Sequence, residues 1–171
     1  PMRYVLLVLL ALLLGFAAWL AFAPAPIDPV AWTPPANPGL TGPYAANEAL
    51  KGATLASIAP GHGPEDVAQG PDGLLYTGLE DGSIVRLKAD GSTPPELVAH
   101  TGGRPLGMEF AADGALIVAD GQRGLLRVAP GGEVTVLAVK AADKPIAFAD
   151  DLAIAADGTV YFSDASTRGP D

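Results

Sequence analysis

The chain has 171 residues with Lys+Arg 10 against Asp+Glu 19, a formal net charge of -9, no Cys, and a mean hydropathy of +0.31. So acidic a chain has little with which to neutralise a run of phosphates, so no nucleic-acid partner is expected. The absence of Cys excludes a disulfide scaffold, a thiolate nucleophile and Cys-ligated metals. Charged residues at 17% against 49% hydrophobic exclude a disordered chain.

The first element is an apolar run, Val5 to Phe22, following Met2-Arg3-Tyr4. As a helix of 18 residues it would be about 27 Å long, near the thickness of a bilayer core. Arg3 before it and Asp28 after it favour a cytoplasmic N-terminus, with the remainder outside. Residues 1–23 are therefore expected to be a membrane anchor. A cleaved signal is the alternative, with Ala21-Phe22-Ala23 as its site, although Pro24 would follow the cut. A buried core helix is the third reading. The first two share one address, outside the cytoplasmic membrane: single-pass membrane-bound, or secreted.

Residues 24–52 form a linker and lead-in. Pro24, Pro26, Pro29, Pro34, Pro35, Pro38 and Pro43 fix φ too often for a regular helix, and a stiff stalk is expected. Residues 44–55 admit either a short helix or an irregular lead-in.

From residue 53 the chain repeats. EDVAQGPDGLLYTGL from Glu65, LGMEFAADGALIVAD from Leu106 and DDLAIAADGTVYFSD from Asp150 align on Asp72-Gly73, Asp113-Gly114 and Asp157-Gly158, at spacings of 41 and 44 residues. Each complete unit reads as four short strands separated by turns. Six Asp-Gly pairs punctuate them, the others being Asp81-Gly82, Asp90-Gly91 and Asp120-Gly121. Asp-Gly suits hairpin turns because both residues tolerate φ > 0. This period with four strands predicts an all-β fold, a β-propeller, with a β-sandwich as the fallback. Blade one is expected at 65–100, blade two at 106–139 and the start of blade three at 150–171. Two and a half blades cannot close a ring, so the chain is expected to be the N-terminal part of a longer propeller.

Aligning the blades exposes one variable position. The residue opening the innermost strand is Glu65, Leu106 and Asp150 in turn, followed by Asp66, Gly107 and Asp151. Innermost strands line the central channel, so Glu65 and Asp150 are expected to meet at its mouth. Clustered carboxylate oxygens suit a hard cation, Ca²⁺ above all. The competing reading is that these acids satisfy turn amides. His62 is a candidate base near the mouth, and Arg104 and Arg123 are expected to pair with surface acids. The aspartates of the Asp-Gly pairs are read as turn formers. No G-x-S-x-G, P-loop, dinucleotide fingerprint or H-E-x-x-H is present.

The words GPEDVA (63–68), YTGLEDGSIVRL (76–87), RPLGMEF (104–110), LIVADGQRGLLRV (116–128) and FADDLAIAADGTVYFSDAST (148–167) resemble the strictosidine synthase-like branch of the six-bladed propeller superfamily. That superfamily also holds gluconolactonases, paraoxonases and adipocyte plasma membrane-associated proteins. The resemblance implies six blades in a complete protein. It also implies a Ca²⁺ held in the channel by the residues matching Glu65 and Asp150, with Asp66 and Asp151 in a deeper structural or supporting role. The activity it implies is a calcium-dependent lactone or ester hydrolase acting on a small molecule. A Pictet–Spengler-type lyase and a non-catalytic ligand- or partner-binding propeller are the alternatives. The chain departs from the pattern at Pro105-Leu106-Gly107, where paraoxonase-like members carry a His. The late-blade Glu of the plant synthase has no counterpart here.

Overall fold

A computed structural model describes residues 2–23, 30–37 and 39–166. The chain divides into one unit up to Lys51 and another from Gly52 onward. In the first, helix α1 (Met2–Phe22) runs 21 residues, about 32 Å, with no buried residue. By length and composition it is able to cross a membrane. Straight-chain leucines favour the helix, and Phe16 stacks on Trp19 at 5.9 Å. Residues 24–29 and 38 of the expected stalk lie outside the described residues. Beyond them the chain forms only a 3₁₀ turn (Gly42–Tyr44), started by Pro43, and an exposed Lys51–Glu48 pair at 2.9 Å. No helix forms over 44–55.

The second unit is all β. Strands β1 (Val67–Gln69), β2 (Leu75–Gly78), β3 (Ser83–Leu87) and β4 (Glu96–His100) form an antiparallel sheet in chain order. Strands β5 (Pro105–Phe110), β6 (Leu116–Asp120), β7 (Gly124–Val128) and β8 (Val134–Ala138) repeat it. A two-residue pair, β9 (Lys140–Ala141) and β10 (Lys144–Pro145), bulges out before the next sheet, turning at Ala142 with φ 52°. The third sheet has β11 (Ala149–Ile154) and β12 (Val160–Asp164). Strand β5 lies against β1 and β2 on one side and β11 on the other. The first strands of successive sheets are thus neighbours, the arrangement of blades around a common axis.

One apolar cluster joins the first two blades: Ala68, Tyr76, Ile84 and Ala99 from one, Met108, Leu116, Val118, Leu126 and Val128 from the other. The Tyr76 ring meets Phe110 edge-on at 4.9 Å across the same seam. Polar staples supplement it. Met108 N–H donates to Asp66 Oδ2 at 2.8 Å, and Ile154 N–H donates to Glu109 Oε2 at 2.7 Å, so an acid from each blade is capped by the backbone of the next.

Five of the six Asp-Gly pairs share one construction. In each, the Asp Oδ1 accepts the N–H two residues on, from Leu74, Ser83, Ser92, Ala115 and Thr159, at 2.9–3.1 Å. Only the glycine takes positive φ, which corrects the expectation that both turn residues do. These bonds hold the Asp81, Asp90, Asp113 and Asp157 carboxyls below the ordinary range, Asp113 mainly through Arg127. The ion pair itself repeats with the blade: Arg86 reaches Asp72 at 3.5 Å, and Arg127 reaches Asp113 at 2.8 Å, each 41 residues on.

The sixth pair keeps the bond from two residues on, here from Gln122, but differs in burial and in its glycine. Asp120 closes β6 and is completely buried, and Gly124, not Gly121, carries the positive φ of that turn. Asp120 is therefore no simple turn former. Its Oδ1 accepts N–H bonds from Arg104, Gln122 and Arg123 at 2.9–3.0 Å.

Candidate functional site

The ladder slips at the start of both later innermost strands. Pro105 pairs with Asp120 but Met108 with Val118, so Leu106 and Gly107 together oppose one residue. Ala149 pairs with Asp164 but Leu152 with Phe162, leaving Asp150 and Asp151 in the same kind of bulge. A bulge bends the strand and re-aims two consecutive side chains. In blade one Glu65 and Asp66 occupy the corresponding place, just before β1. Equivalent local geometry thus presents acid pairs from the first and third blades at one end of the sheets.

The acids of blades one and three lie within range of each other's charge. Partial desolvation pushes its carboxyl above the usual range; the negative charges of Asp150, Asp66 and Asp151 push the same way, and Arg104 opposes them. Glu65 and Asp151 are exposed, Asp66 and Asp150 half-buried. An acid whose folded pKa is raised is penalised as pH rises through that pKa, and the penalty vanishes below its unfolded pKa of about 4.3. Without a cation, the ionised Glu65 carboxylate is thus destabilising at neutral pH.

The two supporting aspartates behave alike on one side. Asp66 Oδ1 accepts Val67 N–H at 2.7 Å, and Asp151 Oδ1 accepts Leu152 N–H at 2.8 Å. Asp66 commits its second oxygen to Met108, so both its oxygens serve the backbone. Gly107, the blade-two counterpart, faces Asp151 so closely that a Cβ there would lie 2.6 Å from Asp151 Cα.

Arg104 and Arg123 do not pair with surface acids. Arg104 Nη1 donates to Gly63 O at 2.9 Å, and Arg123 Nη1 donates to Thr101 O. Carbonyls at the ends of neighbouring elements are the nearer acceptors, and sequence spacing carries no sign of them. His62 is exposed and lines a cleft with Pro60, Gly61, Glu80 and Asp81, while its carbonyl accepts Glu80 N–H at 3.1 Å.

Two carboxylates from separate blades, with further negative charge behind them, fit a hard divalent cation in donor chemistry. They supply only part of a shell: among the described residues no group of three or more His, Asp or Glu is gathered at metal-binding spacing.

Four-stranded blades around a shared axis, with acids at the inner strand starts, define the class: a β-propeller. The fold is matched by a solved gluconolactonase from Xanthomonas campestris, with a TM-score of 0.52 and 20% identity over 58% of this chain and 34% of that one. Residues 42–87 match the model of the strictosidine synthase-like N-terminal family. The chain is 36% identical over 155 residues to the protein STRICTOSIDINE SYNTHASE-LIKE 4 of Arabidopsis thaliana, covering 86% of this chain and 41% of that protein. It is 36% identical over 159 residues to the adipocyte plasma membrane-associated protein of Danio rerio, covering 84% of this chain and 38% of that one. The chain is thus a propeller similar to the strictosidine synthase-like proteins, and it spans about two fifths of the length of these relatives.

Proposed function

We propose that the chain supplies the membrane anchor and the first half of the active-site mouth of a calcium-dependent hydrolase of small lactones or esters, with its propeller outside the cytoplasm. The reading is supported by the equivalent strand-start positions of Glu65 and Asp150 in two blades and by the charge of Asp150 acting on Glu65. Glu65 and Asp150 would hold the ion, and groups outside the described residues would complete its shell. When bound, a divalent ion supplies Lewis-acid polarisation of a carbonyl and a lowered pKa for water. The chain's own residues present the two carboxyls from separate blades, with the Arg104 charge offsetting part of the repulsion on Glu65.

Calorimetric titration of the intact protein with Ca²⁺ tests the reading. Wild type should bind, while Glu65→Gln and Asp150→Ala should weaken binding about a hundredfold each, two lost charge-assisted contacts of about 2–3 kcal/mol. Asp72→Ala should bind as wild type, because that carboxylate belongs to the Tyr76–Arg86 network of the outer seam. In chelator at pH 7, Glu65→Gln should melt about 1–2 °C higher than wild type, and the gain should disappear near pH 4. No heat at millimolar calcium would remove the hydrolase reading.

That outcome would leave a metal-free binding propeller. The reading is favoured by Arg104, a cation already beside Glu65, and by the short donor set.

The membrane reading rests on α1, on Arg3 at its start and on the resemblance to the adipocyte plasma membrane-associated protein. Alkaline carbonate should leave the intact protein in the membrane pellet; release into the supernatant would show that α1 does not span.

A further inference from the structure

Glu65 stands outside the ladder, two residues before β1 begins, and no hydrogen bond from the described residues holds its side chain. Its aim therefore depends on what fixes the lead-in before it. Gly63, two residues upstream, has φ +59°, and the Arg104 guanidinium lies across it: a Cβ on Gly63 would sit 3.5 Å from Nη2 and 3.6 Å from Nη1. Nη1 donates to the Gly63 carbonyl at 2.9 Å, joining positions 41 residues apart.

Arg104 is itself held from below. Its N–H donates to Asp120 Oδ1 at 2.9 Å and its carbonyl accepts Gly121 N–H at 2.9 Å. Asp120 is fully buried, and its Oδ2 has no hydrogen-bond partner among the described residues, so a carboxyl group is kept inside the protein with one oxygen unsatisfied by them. Gly103 packs directly on it: a Cβ there would lie 2.8 Å from Asp120 Cγ. Buried groups left unsatisfied tend to persist where geometry next to a site depends on them.

We infer that Arg104 is a positioning residue: anchored by buried Asp120, it clamps the Gly63 carbonyl and so orders the segment that presents Glu65 at the channel mouth. The inference deepens the proposed function and takes its catalytic meaning from it, but its test needs no calcium.

The test is amide hydrogen exchange on the intact protein in chelator, comparing wild type, Arg104→Gln and Arg104→Lys. In Arg104→Gln the amides of Val67, which donates to Asp66 Oδ1, and of Glu80, which donates to the His62 carbonyl, should exchange at least about tenfold faster, while β6 and β7 stay within about twofold and the melting temperature holds. Arg104→Lys keeps a cationic donor of nearly the same reach and should restore protection of these two amides to within about threefold. Unchanged exchange at both amides in Arg104→Gln would overturn the inference. So would acceleration spread equally through β5–β8, the mark of a merely structural residue, or equal loss in the Lys variant. Asp120→Ala should reproduce the local loosening; if it does not fold, the Arg104 pair decides alone. A wild type that binds no calcium in the titration above defeats the hydrolase reading and leaves this result standing.

Discussion

Gly107→Ala is expected to destabilise the protein by about 3 kcal/mol and to weaken any divalent-ion binding at the mouth by at least about tenfold. The reason is steric and local. A Cβ at residue 107 would lie 2.6 Å from Asp151 Cα, 2.6 Å from Asp151 Oδ1 and 3.0 Å from Asp150 O. Two of these three are backbone atoms of β11, which cannot rotate away as a side-chain tip can. Blade three has to move as a body, and Asp150 moves with it relative to Glu65. Chemical denaturation would show a lowered midpoint at unchanged slope, and calcium titration would show the lost affinity. Gly131→Ala is the control, since nothing lies within 4 Å of its Cβ position. A Gly107→Ala protein as stable as Gly131→Ala would show that blades two and three do not touch in this way.

Asp66→Ala should cost about 2–3 kcal/mol, although Asp66 is only half-buried. The carboxylate accepts two backbone bonds, Val67 N–H at 2.7 Å and Met108 N–H at 2.8 Å. Met108 is 5% exposed, so water cannot easily replace the second bond. Asp66→Asn retains an acceptor for one of the two and should recover about half of the loss. Urea unfolding of the two variants gives the comparison. If Asp66→Ala matches wild type without metal and differs only in calcium, Asp66 serves an ion and not the seam.

These two positions mark how far a linear reading reaches. The blade alignment set Asp66, Gly107 and Asp151 in one column, and it offered no reason for a glycine in the middle. The reason is the approach of β11 to β5, a distance between segments more than 40 residues apart. Asp120 escaped for a similar cause. Its Asp-Gly dipeptide looks like the other five, but burial and three N–H donors from two segments set it apart. The expectation of a surface acid for Arg104 fails because its acceptor is a carbonyl, which every residue carries and no sequence pattern distinguishes.

The periodic features were written in the chain because they need only neighbours in sequence. An apolar run of bilayer length makes α1, and strands alternating with Asp-Gly turns make antiparallel four-stranded blades. The recurrence near 41 residues sets the blades in equivalent positions, and with them Glu65 and Asp150 at equivalent strand starts. The tertiary structure alone decided how the acids are aimed. Bulges at 106–107 and 150–151, staples from Asp66 and Glu109, and the Asp120–Arg104–Gly63 clamp all depend on contacts between blades. Local propensity can specify a turn within four residues; the direction of a carboxylate at a shared axis is set by the surfaces that meet there.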